Sequence, residues 1–131
     1  MRIKRPLIAT IAAAAAAAAA LASSAALAHP RLVTSSPADK AEVAAPQKIE
    51  LTFSEDLVTQ FSGANLVMTG MPGMASHAPM KMAVRVSASS DPKAMVITPA
   101  QPLPAGSYRV EWRAVSADTH PVTGNFSFTV K

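Results

Sequence analysis

"GSYRVEWRAVS", residues 106–116, sets Tyr108, Val110 and Trp112 against Arg109, Glu111 and Arg113 in strict alternation. Successive side chains of a strand point to opposite faces, so this pattern describes a strand buried on one face and wet on the other. The same period recurs in "KIELTFS" (48–54), through Ile49, Leu51 and Phe53, and in "GNFSFTV" (124–130), through Phe126, Phe128 and Val130. Weaker strand patterns lie in "RLVTSS", "ANLVM", "MAVRVSA" and "AMVITPA". About seven short strands at roughly 8–14-residue spacing describe an all-β sandwich or barrel. Of the eleven prolines only Pro6 precedes residue 29, and the other ten argue against long helices. "SPADKAEV" (36–43) has room for one short helical turn.

The first 28 residues read differently. Arg2, Lys4 and Arg5 make a positive head, an alanine-rich run follows to about Leu21, and Ala26-Leu27-Ala28 supplies the small-x-small end. These are the parts of a secretory signal peptide, with cleavage expected after Ala28 and, as second choice, after Ala26. Taking 28 residues from 131 leaves 103, His29 to Lys131, enough for one domain with its own core. The expected organisation is a signal peptide over 1–28 and a β-sandwich domain over 29–131.

Cleavage changes the charge. Three of the twelve basic residues leave with the leader, so nine face eight acids. With no basic cluster interleaved with aromatics, nothing points to nucleic acid. The chain has no cysteine. A secreted domain of this size then depends on its core alone, and the disulfide-pinned antibody-type core is excluded. Any soft-metal site must use methionine.

Five of the seven methionines crowd into "MTGMPGMASHAPMKM", residues 68–82, together with His77. Gly70, Pro72, Gly73 and Pro79 break a helix there and point to a surface loop. Met68, Met71, Met74, His77 and Met80 follow one another at intervals of three. Thioethers with one imidazole suit Cu(I), whereas zinc takes harder or thiolate donors. An adhesive apolar loop is the competing reading at even weight. Met82, at the edge of the "MAVRVSA" strand, is assigned to structure.

A second constellation depends on cleavage. His29 then opens the chain with a free α-amine and an imidazole, and Pro30 has no amide proton to lose, so further ligands must come from elsewhere in the fold. "SADTHPVTG" offers Asp118 and His120, two apart and on one side if extended. Amine, two imidazoles and a carboxylate suit tetragonal Cu(II). The plain alternative is an ordinary turn with an exposed histidine.

The stretches "AHPRLVTSSPAD", "APQKIELTFSEDLVTQFSGANLVMTGMPGM" and "DPKAMVITPAQPLPAGSYRVEWRAVSADTHPVTGNFSFTV" resemble the CopC family of bacterial periplasmic copper-binding proteins and cover nearly all of the mature chain. The resemblance implies a small Greek-key β-sandwich or barrel of cupredoxin or immunoglobulin-like kind, with two separated copper sites. It implies Cu(II) at His29, Asp118 and His120, and Cu(I) among Met68, Met71, Met74, His77 and Met80. The family pattern has its histidine two residues past the third methionine, whereas "MASH" puts His77 three past Met74.

The expected function is therefore a periplasmic, non-enzymatic and monomeric copper carrier or buffer in copper resistance and homeostasis. The family suggests an inner-membrane copper transporter or a multicopper oxidase as partner. Two other functions remain in view. One is a histidine-brace copper monooxygenase, disfavoured because Asp118 fills a position that oxygen needs. The other is a secreted interaction module without metal.

Overall fold

A computed structural model describes residues 29–74 and 77–131. The signal-peptide reading falls on residues 1–28 and lies outside the described residues. Nine strands follow in order: β1 Leu32–Ser36, β2 Glu42–Val43, β3 Ile49–Phe53, β4 Gly63–Gly70, β5 Met80–Met82, β6 Val84–Ala88, β7 Ala94–Pro99, β8 Gly106–Val115 and β9 Pro121–Val130. The seven expected strands are present, and the two additional ones, β2 and β5, have only two and three residues. "SPADKAEV" makes a hydrogen-bonded turn, with the Ala41 N–H donating to the Ala38 carbonyl, and no helical turn. Among the described residues the single helical element is a 3-10 turn at Thr59–Phe61.

The strands form two layers, a four-stranded sheet in the order β1-β3-β7-β6 and a five-stranded sheet in the order β2-β9-β8-β4-β5. Neighbours that are not consecutive in sequence, such as β3 beside β7 and β4 beside β8, give the crossed connections of a Greek key. Alternation decides what lies between the layers. Tyr108, Val110, Trp112 and Ala114 of β8 are buried with Ile49, Leu51 and Phe53 of β3 and Phe126, Phe128 and Val130 of β9. Arg109 and Glu111 face out and pair with each other at 3.1 Å.

Aromatic packing ties this core together without disulfides. Phe53 of one sheet meets Trp112 of the other edge-on, with ring centroids 5.1 Å apart, and Tyr108 stacks on Phe128 at 5.5 Å. Such pairs contribute about 0.5–1.5 kcal/mol beyond the area they bury. Gly124 lies opposite Trp112 in the β8–β9 ladder, and a Cβ there would fall 2.3 Å from the indole ring. The Tyr108 hydroxyl, inside the core, donates to the Pro104 carbonyl at 2.6 Å, and burial raises its pKa.

Strand β8 also determines where the functional segments lie. At its start Ser107 pairs with Gly70, where the methionine loop leaves β4. At its end Val115 pairs with Pro121, where the hairpin carrying Asp118 and His120 opens. Ten residues of strand separate the two by roughly 30 Å.

Candidate metal centres

The segment before β1 is clamped to the sandwich. The Arg31 N–H donates to the Ser54 hydroxyl at 2.9 Å, and the Ser54 N–H returns a bond to the Arg31 carbonyl at 2.9 Å. Pro30 is buried, which leaves His29 at the surface beside the β8–β9 hairpin. That hairpin turns through Thr119, whose φ of 66° lies in the left-handed region and whose N–H bonds the Ser116 carbonyl at 2.9 Å.

The turn orients Asp118. Its Oδ1 accepts the Ser116 hydroxyl at 3.0 Å and the His120 N–H at 3.2 Å. Its Oδ2 is thereby turned toward two imidazoles, 2.8 Å from His29 Nδ1 and 3.9 Å from His120 Nδ1. Oδ2 is buried, and among the described residues, despite the short His29 contact, it has no hydrogen-bond partner. Partial burial pushes the Asp118 pKa up, but the Ser116 hydroxyl, the His120 N–H and the two imidazoles outweigh it and hold the carboxyl below the usual range. The histidine rings, with centroids 6.1 Å apart, keep side-chain exposures of 71% and 76%. Among the described residues no three histidine or acidic side chains already form a closed metal-binding group. The carboxylate is fixed by its turn, and the two imidazoles beside it are exposed.

The methionine loop has a different construction. Met71 and Met74 exchange both main-chain hydrogen bonds, each N–H donating to the other's carbonyl at 2.9 Å. Pro72 and Gly73 make the turn between them, and Gly73, with φ of 82°, supplies the left-handed position that a Pro-Gly type II turn requires. Residues paired in this way carry their side chains on the same side. Met71, Met74 and Met80 are exposed by 38%, 51% and 49%.

His77 joins the base of this loop. Its N–H donates to the Thr69 carbonyl at 3.1 Å, and the Thr69 hydroxyl bonds the Ser107 carbonyl on β8 at 3.3 Å. His77 Nδ1 lies 2.8 Å from the Ala78 carbonyl oxygen. The tautomer that satisfies that oxygen carries its proton on Nδ1 and leaves a lone pair on Nε2. Nε2 is buried and has no hydrogen-bond partner among the described residues.

Met68 does not join the exposed thioethers. It belongs to β4, opposite Met80 in the ladder, and is 3% exposed within the core cluster. Met82 is half-buried against that cluster, consistent with its structural assignment. Three residues that sequence reasoning missed, Ser54, Ser116 and Thr69, hold the groups around these centres. Only Ser116 left a recognisable trace, a hydroxyl two residues before an aspartate at a turn. A surface hollow of about 580 Å3 is lined by Asn65, Glu111, Arg113, Thr123 and neighbouring residues and includes none of the expected ligands.

Fold and sites together define a small two-sheet β-sandwich with His29, Asp118 and His120 at one end of β8 and the exposed Met71, Met74 and Met80 with His77 at the other. A family model described as the CopC domain matches residues 32–131, and the chain belongs to that family. That match begins after His29. Copper resistance protein C of Pseudomonas syringae pv. tomato is 66% identical over 106 residues, covering 81% of this chain and 83% of that protein. Copper resistance protein C of Escherichia coli is 62% identical over 106 residues, covering 81% and 84%. The crystal structure of PcoC, a methionine-rich copper resistance protein from Escherichia coli, superposes with a TM-score of 0.74 at 59% identity, covering 79% of this chain and 99% of that one.

Proposed function

We propose that this protein is a periplasmic copper carrier or buffer in copper resistance, without catalytic activity. The observation that carries the proposal is the pairing of two donor sets of opposite hardness at opposite ends of one strand. Relatives named copper resistance protein C support copper as the cargo. His29, Asp118 and His120 hold Cu(II). Cleavage after Ala28 adds the α-amine of His29 and completes a nitrogen/oxygen set. Met71, Met74, Met80 and His77 Nε2 hold Cu(I), with Met68 beneath them as part of the floor.

The reading as a carrier follows from what surrounds each centre. The exposed thioethers of the loop and the exposed imidazoles of the other centre are open to an incoming ligand from a partner. An inner-membrane copper transporter or a periplasmic multicopper oxidase is the partner proposed for this exchange. Asp118 as a third ligand beside the imidazoles fills a copper position that a monooxygenase leaves open to oxygen, which favours a carrier.

The test is a competition titration of the mature protein from His29, with Cu(II) and separately with Cu(I), counted by native mass spectrometry. One ion of each, bound whether or not the other is present, is the expected result. Binding of neither ion removes the proposal and leaves an interaction module. Oxygen consumption by the copper-loaded protein with a reductant and a saccharide would restore the enzyme reading.

A further inference from the structure

The six methionines beyond residue 28 divide sharply by accessibility. Met74, Met80 and Met71 are exposed by 51%, 49% and 38%, whereas Met68 and Met95 are 3% and 2% exposed inside the core. Met82 is half-buried. A thioether in an oxidising compartment is lost to sulfoxidation in proportion to its access to the oxidant. The accessible thioethers are those assigned to the soft centre.

We propose that Met71, Met74 and Met80 are sites of reversible sulfoxidation by a peroxide, and that their oxidation closes the soft centre while leaving the fold and the hard centre intact. This rests on the assignment of those thioethers as Cu(I) ligands. In the reaction a methionine sulfur attacks one peroxide oxygen. The O–O bond breaks, an S–O bond forms, sulfur is oxidised by two electrons, and hydrogen peroxide leaves water. The reverse step takes two electrons from a dithiol through a methionine sulfoxide reductase, yielding the thioether, a disulfide and water.

The sulfoxide presents a hard oxygen in place of a soft sulfur donor, which no longer suits Cu(I). The backbone gives little reason for the loop to collapse with it. Met71 and Met74 hold their turn by main-chain bonds at 2.9 Å, and His77 is held through its own N–H, so none of these contacts uses a thioether. The hard centre contains no methionine and stands at the far end of β8. Oxidation therefore changes which copper ion the protein binds without changing whether it is folded.

The experiment treats the mature protein with limiting hydrogen peroxide and maps sulfoxides by peptide mass spectrometry against time. Ag(I), soft and redox-inert, serves as the binding probe, so that copper-driven peroxide chemistry does not interfere. Met71, Met74 and Met80 should oxidise before Met68 and Met95, and bound Ag(I) should slow them. Ag(I) affinity should fall by about tenfold or more, as when a metal centre loses support from its ligands. Cu(II) affinity should be unchanged, and sulfoxide reductase with dithiol should restore Ag(I) binding. Oxidation of Met68 and Met95 at the same rate, or an oxidised loop with unchanged Ag(I) affinity, overturns the inference. Unoxidised protein that binds neither Ag(I) nor Cu(I) overturns the soft-centre assignment itself, a failure visible before any peroxide is added.

Discussion

Asp118 Oδ2 lies 2.8 Å from His29 Nδ1, joining the segment before β1 to the hairpin between β8 and β9. Ser116 and the His120 N–H occupy the other oxygen, Oδ1, so the carboxylate is aimed before any ion arrives. Replacing Asp118 by Asn keeps the shape and removes the charge. Cu(II) affinity should fall about 10–100-fold, the range for a disrupted metal shell, while Cu(I) affinity stays the same. Competition titration against a chelator of known affinity measures both.

The lowered pKa of Asp118 also makes a statement about stability. Its folded-state value lies below its unfolded one, so the stability it contributes is fully present above the unfolded value near 4 and is lost as pH falls through the folded value. For the metal-free protein, the difference in urea midpoint between the parent and Asp118→Asn should shrink as pH falls from about 5 to about 3. A difference that grows over that acid range would reverse the sign assigned here.

The methionines should separate by role. Met71→Leu with Met74→Leu keeps apolar bulk in an exposed turn whose bonds are main-chain, so stability should change by less than about 0.5 kcal/mol while Cu(I) binding is lost. Met68→Leu conserves volume in the core and should cost less than about 1.5 kcal/mol with Cu(I) binding retained. Met68→Ala leaves a cavity and should cost about 2–5 kcal/mol. Chemical denaturation and Cu(I) competition, run in parallel, decide this. Loss of Cu(I) binding in Met68→Leu would bring the core methionine into the ligand set.

A residue left ahead of His29 converts its α-amine into an amide. Cu(II) affinity should then drop sharply and Cu(I) affinity remain. Acidification should likewise weaken Cu(II) binding between about pH 8 and 5, because the amine and both imidazoles must be deprotonated to bind. Paired titrations of the extended and mature proteins check both effects. Equal Cu(II) affinities would remove the α-amine from the centre.

The strands that could be read in advance were those long enough to show a period. β3, β8 and β9 alternate cleanly because one face meets the other sheet and one meets water. β2 and β5 have too few residues for any period, and backbone pairing with β9 and β4 creates them. The short helical element forms at Thr59–Phe61, where the Val58 N–H reaches the Val115 carbonyl, a tertiary contact with no local signature. At the sites, ligand types and spacing made His29, Asp118 and His120 legible as a group. The spacing of three made Met68 look equivalent to Met71 and Met74, but strand pairing sets Met68 in the core before the turn begins. The hydroxyls of Ser54, Ser116 and Thr69 act through partners that only the fold supplies.

Copper X-ray absorption on the mature protein loaded with one Cu(II), and separately with one Cu(I), tests the two-centre carrier most directly. Cu(II) should show only nitrogen and oxygen neighbours with imidazole scattering, and Cu(I) should show a sulfur shell that Met71→Leu with Met74→Leu abolishes. The same nitrogen/oxygen shell for both ions, unchanged by that double substitution, would contradict two centres of opposite hardness and leave one copper site at His29.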